Sequence, residues 1–302
     1  MSQMRLSTLA VLSFVPVCFG CTGTVSWSSE AVDAETAATT SALVVIERTS
    51  DAARGTSAEA SARFLRVASP SSAEEALRVI GAALDLPARG ACASIVSLAG
   101  MAGLSAATAP AAHAPVVELV DVGEVSLEVQ GEVTRLLQRQ VPDVTDVVSG
   151  VVYARATGPS LLPAATRYVV HVAGGHDLSA FDIAMIAPRD PSEIGIKGET
   201  AQGLQLGSSD VVFAWTPDGR DDLVYVDVRP SDGASPASPK HGRNEAVRCV
   251  LDDGGHGVVS TLFFEDAGTL IVHRVHRERL QARGISGEVR IDFARALPYV
   301  RQ

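Results

Sequence analysis

Residues 222–228 read DLVYVDV. A chain of period two sends Leu223, Tyr225 and Asp227 to one side of a sheet and Val224, Val226 and Val228 to the other. Three valines on one parity and Val/Tyr enrichment over a run of this length define a strand with a buried face. Upstream, DVVFAW (210–215) repeats the pattern and puts Phe213 and Trp215 on one face, and Pro217-Asp218-Gly219 supplies a turn between the two runs.

Working outward, runs of the same kind recur at Ala42–Glu47, Ala62–Val67, Ala91–Leu98, Val116–Val122, Val125–Val129, Gly150–Arg155, Arg167–Ala173 and Asp182–Ala187. Beyond the opening stretch they continue at Ala246–Leu251, Gly257–Thr261, Thr269–Val275 and Glu288–Phe293. Ser231-Asp232-Gly233 and Asp252-Asp253-Gly254-Gly255 are further turn signals, the second read as a hairpin turn. Glu132–Gln140 is open between a helical turn and a strand. One helix is expected over about 71–85: Ser71 is its N-cap, Glu74 completes a capping box, Leu77, Ile80 and Leu84 follow at helical spacing, and Leu86-Pro87 ends it. Many short strands without alternating helices predict a mainly β fold of antiparallel, immunoglobulin-like sandwich units and argue against a parallel α/β sheet.

The chain begins differently. Arg5 precedes an apolar run, Leu6–Phe19, of about 14 residues, which suits a secretory leader and is short of a membrane span. Gly20-Cys21 then follows, and a small residue before Cys at the end of such a run resembles a bacterial lipobox, with Cys18 where Leu is usual. The resemblance implies cleavage before Cys21 and lipid attachment to its thiol, each buried CH₂ contributing ~0.8 kcal/mol. By resemblance to the Gram-negative sorting rule, Thr22 in place of Asp implies the outer membrane; the alternative is an ordinary secretory leader with a secreted or periplasmic product. Residues 22–41 are Ser/Thr/Ala-rich without periodicity and read as a flexible stalk. The expected organisation is a leader over 1–20, a stalk over 21–41, a strand and helix region over 42–114, a first β-rich unit over 115–205 and a second over 206–302.

Hydrophobic residues make up 46% of the chain, enough for a packed core. The formal net charge is −10, from 25 basic and 35 acidic residues, and losing Arg5 with the leader makes it −11. An acidic body lacks the basic footprint that nucleic-acid binding needs. Of four cysteines, Cys18 leaves with the leader and Cys21 is the anchor. Cys92 and Cys249 remain, an even pair in an oxidising compartment, and are expected to form a disulfide.

Several stretches give the chain a family likeness: DVGEVSL (121–127), PDVTDVVSGVVYA (142–154), LPAATRYVVHVAGG (162–175), LSAFDIAMIAP (178–188), DVVFAW (210–215), DLVYVDV (222–228), EAVRCVLDDGG (245–255) and TLIVHRVHRERLQARGISGEVRIDFARA (269–296). Together they resemble the uncharacterised outer-membrane lipoproteins of high-GC bacteria. That resemblance implies no activity, no cofactor and no catalytic residues.

The candidate chemistry is sparse. HRVHRERLQAR (273–283) is the basic cluster, and Arg274, Arg277 and Arg279 are candidates for contact with an anion or a partner, against the alternative of a charged edge strand. His273 and His276, three apart on a strand, face opposite ways and converge on a metal only if the chain bends or becomes helical there. His171 and His176, which flank Gly174-Gly175, are read as ordinary histidines, and the carboxylate pair Asp221-Asp222 as solvated turn residues. Gly103–Ala107 lacks the final Gly of a nucleophile elbow, and no phosphate loop is present. The reading is therefore a non-catalytic envelope lipoprotein that acts by surface contact. It is held to the membrane by its lipid and meets an envelope protein or glycan, with no nucleic acid, metal or cofactor. Two alternatives stay open: a carbohydrate-binding or hydrolytic module using the HRVHRER region (273–279) and the loops around Trp215, and a metal-binding lipoprotein.

Overall fold

The computed structural model describes residues 39–67, 77, 83–96, 117–141, 148–176, 178–217, 219–220, 222–231, 245–252, 254–282 and 285–302, all within the unit Thr36–Gln302. The first strands are β1 (Thr39–Asp51), β2 (Gly55–Val67), β3 (Cys92–Ser94), β4 (Val117–Leu119), β5 (Val125–Val129), β6 (Glu132–Arg135) and β7 (Leu137–Val141). Then come β8 (Val148–Thr157), β9 (Arg167–Val172), β10 (Phe181–Ile186), β11 (Gly195–Ile196), β12 (Glu199–Thr200) and β13 (Gly203–Leu206). The last are β14 (Val211–Ala214), β15 (Leu223–Pro230), β16 (Val247–Leu251), β17 (His256–Val259), β18 (Ala267–Ala282) and β19 (Ile285–Arg301). The fold is mainly β, and most strand pairs are antiparallel. Exceptions are β1 with β19, β4 with β8 and β13 with β19, which run parallel.

One large sheet runs β3-β16-β15-β18-β19-β1-β2-β4-β8-β7, with β12 and β13 joined to it through β19. Two small sheets, β10-β9-β5-β6 and β11-β14-β17, lie over one of its faces, here called the inner face. The first small sheet shares a core with Val44 and Ile46 of β1, Phe64 of β2, Leu280 of β18 and Ile291 and Phe293 of β19. The second shares a core with Val224, Val226 and Val228 of β15, Val272 of β18 and Leu297 and Tyr299 of β19. The valine parity of the opening stretch thus faces a core, as its alternation requires. Each fully buried valine contributes about 1.5–3 kcal/mol.

β18 and β19 are much longer than their apolar runs suggest, at 16 and 17 residues. They form a ribbon of roughly 55 Å at ~3.4 Å per residue, and its inner face lines one core at each end. β1 docks in parallel against β19 with little room to spare: a Cβ on Gly287 would lie 2.0 Å from the Ala42 carbonyl oxygen, so only glycine fits there.

Some local expectations change. Glu132–Gln140 resolves as two strands, β6 and β7, that break at buried Leu136 and belong to different sheets. The Asp252–Gly255 turn uses positive φ at Gly255 (77°), yet it closes no hairpin, because β16 pairs with β15 and β3 whereas β17 pairs with β14. The turn carries the chain from the large sheet to a small one. The short strands β11, β12 and β13 had no signal in the sequence. Most of the expected 71–85 helix lies outside the described residues. Leu77 is helical and packs on Leu43 and Val45, on the outer face of the large sheet. The leader and residues 21–38 of the stalk also lie outside the described residues, but residues 39–41, expected in the stalk, begin β1 because they pair with β2 and β19.

Candidate functional site

β18 carries charge on both of its faces. On the outer face, His273 sits opposite Tyr225 of β15, and the two rings stack with centroids 4.1 Å apart and 10° between planes. The Arg248 guanidinium of β16 covers the Tyr225 ring at 4.9 Å. Arg248 also grips Asp227 with two hydrogen bonds, from Nε at 2.7 Å and Nη2 at 2.9 Å, while Arg229 donates to the same carboxylate at 3.3 Å. Asp292 of β19 accepts from Tyr225 Oη at 2.8 Å and lies 3.0 Å from His273 Nδ1.

Asp227 is 0% exposed. Burial pushes its carboxyl up, and the Arg248 hydrogen bonds and charge, with help from His273 and Arg229, outweigh burial and hold it below the usual carboxylate value. Burial drives the Tyr225 phenol well above its ordinary value, and the Asp292 charge adds to that. The phenol therefore stays protonated and donates.

A strap lies over this network. Leu84 and Leu86 pack on Tyr225, Val250 and Val275, and the Asp85 carbonyl accepts from Arg248 Nη1 at 3.1 Å. The strap leads into β3, which a disulfide ties to β16. Cys92 and Cys249 are cross-strand partners, bonded at 2.05 Å with Cα atoms 4.0 Å apart.

On the inner face of β18, His276 Nδ1 lies 2.8 Å from Asp222 Oδ1. That hydrogen bond raises the imidazole pKa against the opposing effect of burial. Asp222 is only 4% exposed, so the solvated reading of this carboxylate is corrected. Its place just before β15, opposite His276, buries it. Arg274, two residues back, is 1% exposed and donates from Nη2 to the Thr216 carbonyl at 2.9 Å. Nearby, Arg48 of β1 stacks at 4.1 Å over Phe293, hydrogen-bonds the Leu162 carbonyl at 2.8 Å and pairs with Asp190. Arg295 of β19 holds Glu199 through two 3.0 Å bonds and reaches the Ile194 carbonyl at 3.3 Å. Arg48 and Arg295 thereby pin residues 190–194, part of the connector between the two small sheets.

The three arginines named from the sequence part company. Arg274 turns into the seam between the cores, Arg277 pairs with Glu288 at the surface, and Arg279 is exposed. The strand that carries them is an edge over half its length only: Ala267–Val275 lies between β15 and β19, whereas His276–Ala282 pairs with β19 alone among the described residues. His273 and His276 face opposite sides, as their spacing requires. Among the described residues no group of three or more His, Cys, Asp or Glu is placed to hold a metal. Trp215 is 7% exposed and belongs to the second core. A cavity of about 350 Å³ lies between β6 and the end of β8, lined by Glu132, Arg135, Arg155 and Thr157, away from these clusters. Arg48, Arg248 and Arg295 were missed. Their signal is in the chain nonetheless: each is a lone arginine inside an apolar strand (VVIER, AVRCVL, DFARAL), where a charge stays buried only if it is paired.

These features define a mainly antiparallel β protein of layered sheets, closed by a disulfide, with buried charges on both faces of the large sheet around β18. No family model and no curated protein matches the chain. Among solved structures, the Fcho1 Mu homology domain of Danio rerio with bound Eps15 peptide aligns over 90% of this chain and 100% of that one, at 12% identity and a TM-score of 0.25. A superposition of that quality carries no argument about fold or function.

Proposed function

We propose that the chain is an exported, lipid-anchored envelope protein that works by surface contact and not by catalysis. The observation that carries this reading is the Cys92–Cys249 disulfide, which suits an oxidising compartment and so agrees with a leader ending at Cys21. The buried carboxylates and histidines support the non-catalytic part, because each is engaged in holding strands together: Asp227 with Arg248, Asp292 with Tyr225, Asp222 with His276.

The finer fold reading, immunoglobulin-like sandwich units, draws support from the small antiparallel sheet that faces each half of the large one. The parallel β1–β19 pair departs from it. The helix expected over 71–85 draws support from Leu77 alone, which is helical and packs on the outer face of the large sheet, and it stops short of 85, because residues 83–85 are extended strap and not helix.

Fractionation tests the anchor. Expressed in a Gram-negative host, the chain should incorporate labelled palmitate and sediment with the outer membrane, and Cys21→Ala should abolish the label and release the protein. An unlabelled wild-type chain in the cytosol contradicts the proposal.

A further inference from the structure

Four arginines gather on the inner face between the two cores, Arg48, Arg220, Arg274 and Arg295, with three carboxylates to meet them. Asp190 takes Arg48, Glu199 takes Arg295, and Asp222 faces His276 and Arg220. Arg274 has no ion pair among the described residues. Its one hydrogen bond leaves Nε and Nη1 buried without a partner.

Other groups there share this condition. Trp215 Nε1, one residue from the carbonyl that Arg274 reaches, is buried without a partner, and so is Arg295 Nε. Arg295 lies diagonally across the β18–β19 pair from Arg274, since Arg274 registers with Phe293 and Val272 with Arg295, a spacing within reach of long side chains. These four atoms are N–H donors. A guanidinium is never neutral in a protein, and burying it uncompensated is strongly unfavourable. A guanidinium that is buried with two unmet donors and no ion pair calls for a small acceptor that carries one negative charge.

We infer that the seam binds one small monovalent inorganic anion, of halide type, against Arg274, with Trp215 Nε1 and Arg295 Nε as further donors. Arg274 is the ligand that binding cannot spare, and the anion completes the contact between the two cores. This assignment is independent of where the protein resides in the cell.

Bromide is the probe. With the full chain at fixed ionic strength, replacing gluconate by bromide should raise the urea midpoint, and the folding constant should climb tenfold for each tenfold rise in bromide above the dissociation constant. Arg274→Met should lose that dependence, while Arg277→Met, altered at the surface pair, should keep it. A wild type indifferent to bromide, or an Arg274→Met that responds equally, overturns the inference. Should Arg274→Met not fold, wild-type crystals grown in bromide decide the matter. An anomalous peak within hydrogen-bond distance of Arg274 supports the site, and water alone at that position refutes it.

Discussion

The two faces of β18 handle charge differently. On the outer face, Tyr225, Asp227, Arg248, His273 and Asp292 form a connected set in which the one fully buried acid, Asp227, meets two arginines, and a strap held by a disulfide covers the group. On the inner face, Arg48 and Arg295 pin a connector between the small sheets, and Arg274 is left with a single carbonyl. β18 contributes to both sets, His273 to the outer and Arg274 to the inner, so the difference lies in what each face meets. The outer face meets a strap of its own chain. The inner face meets the gap where two cores adjoin, and apolar packing is replaced there by arginines that reach for loop carbonyls. Buried charge in this protein fixes the position of covering segments more than it adds stability.

The largest expected effect tests the outer set. Asp227→Ala leaves Arg248 enclosed without its acid and should cost about 3–5 kcal/mol, measured by urea unfolding, whereas Asp227→Leu combined with Arg248→Met should recover most of that loss. A cost below about 1 kcal/mol for Asp227→Ala would erase the contrast between the faces. Next comes the strap. Cys92→Ser with Cys249→Ser should cost about 2–4 kcal/mol, and amide exchange should quicken at Gly90 and Val250, which bond across this edge, more than in the middle of β19. Equal quickening throughout would deny that the disulfide acts through the strap.

The pH dependence has opposite signs at the two ends of the scale. Asp227 is held below its usual value, so its share of stability is present above about pH 3.8 and is lost as pH falls through its folded value. His276 is raised by Asp222, and His171 is raised by hydrogen bonds to Asp182 at 2.8 Å and Glu128 at 2.9 Å. Their shares are complete below about pH 6.5 and are lost as pH rises through their raised values. Urea midpoints should therefore decline as pH rises above about 6.5, and His171→Gln with His276→Gln should flatten that decline. The smallest effect belongs to the surface. Arg277→Met, which breaks the pair with Glu288, should change stability by about 0–1 kcal/mol.

Much of this fold was legible in the sequence. The valine parity of DLVYVDV placed Val224, Val226 and Val228 in a core, and the same parity argument separated His273 from His276. Sheet membership was not legible. The residues that decide it, such as Leu136 between β6 and β7 or the Asp252–Gly255 corner, look like ordinary turn and strand residues until the partners are known. The length of β18 and β19 was hidden because their polar ends, HRERLQA and ISGE, are held by pairing along the ribbon and not by an apolar run. Of the site, Arg274 was singled out for contact with an anion, but as a surface residue. Its burial depends on Thr216 and Phe293, which approach from a loop and a neighbouring strand that local spacing cannot locate.

The proposal that this chain is exported, anchored at Cys21 and closed by one disulfide has a single most direct test: the intact mass of the membrane-extracted protein, alkylated before and after reduction. A chain that starts at Cys21, carries added acyl mass and gains two alkyl groups only after reduction is the predicted result. A chain that retains residues 1–20, or whose Cys92 and Cys249 alkylate without reduction, would contradict it.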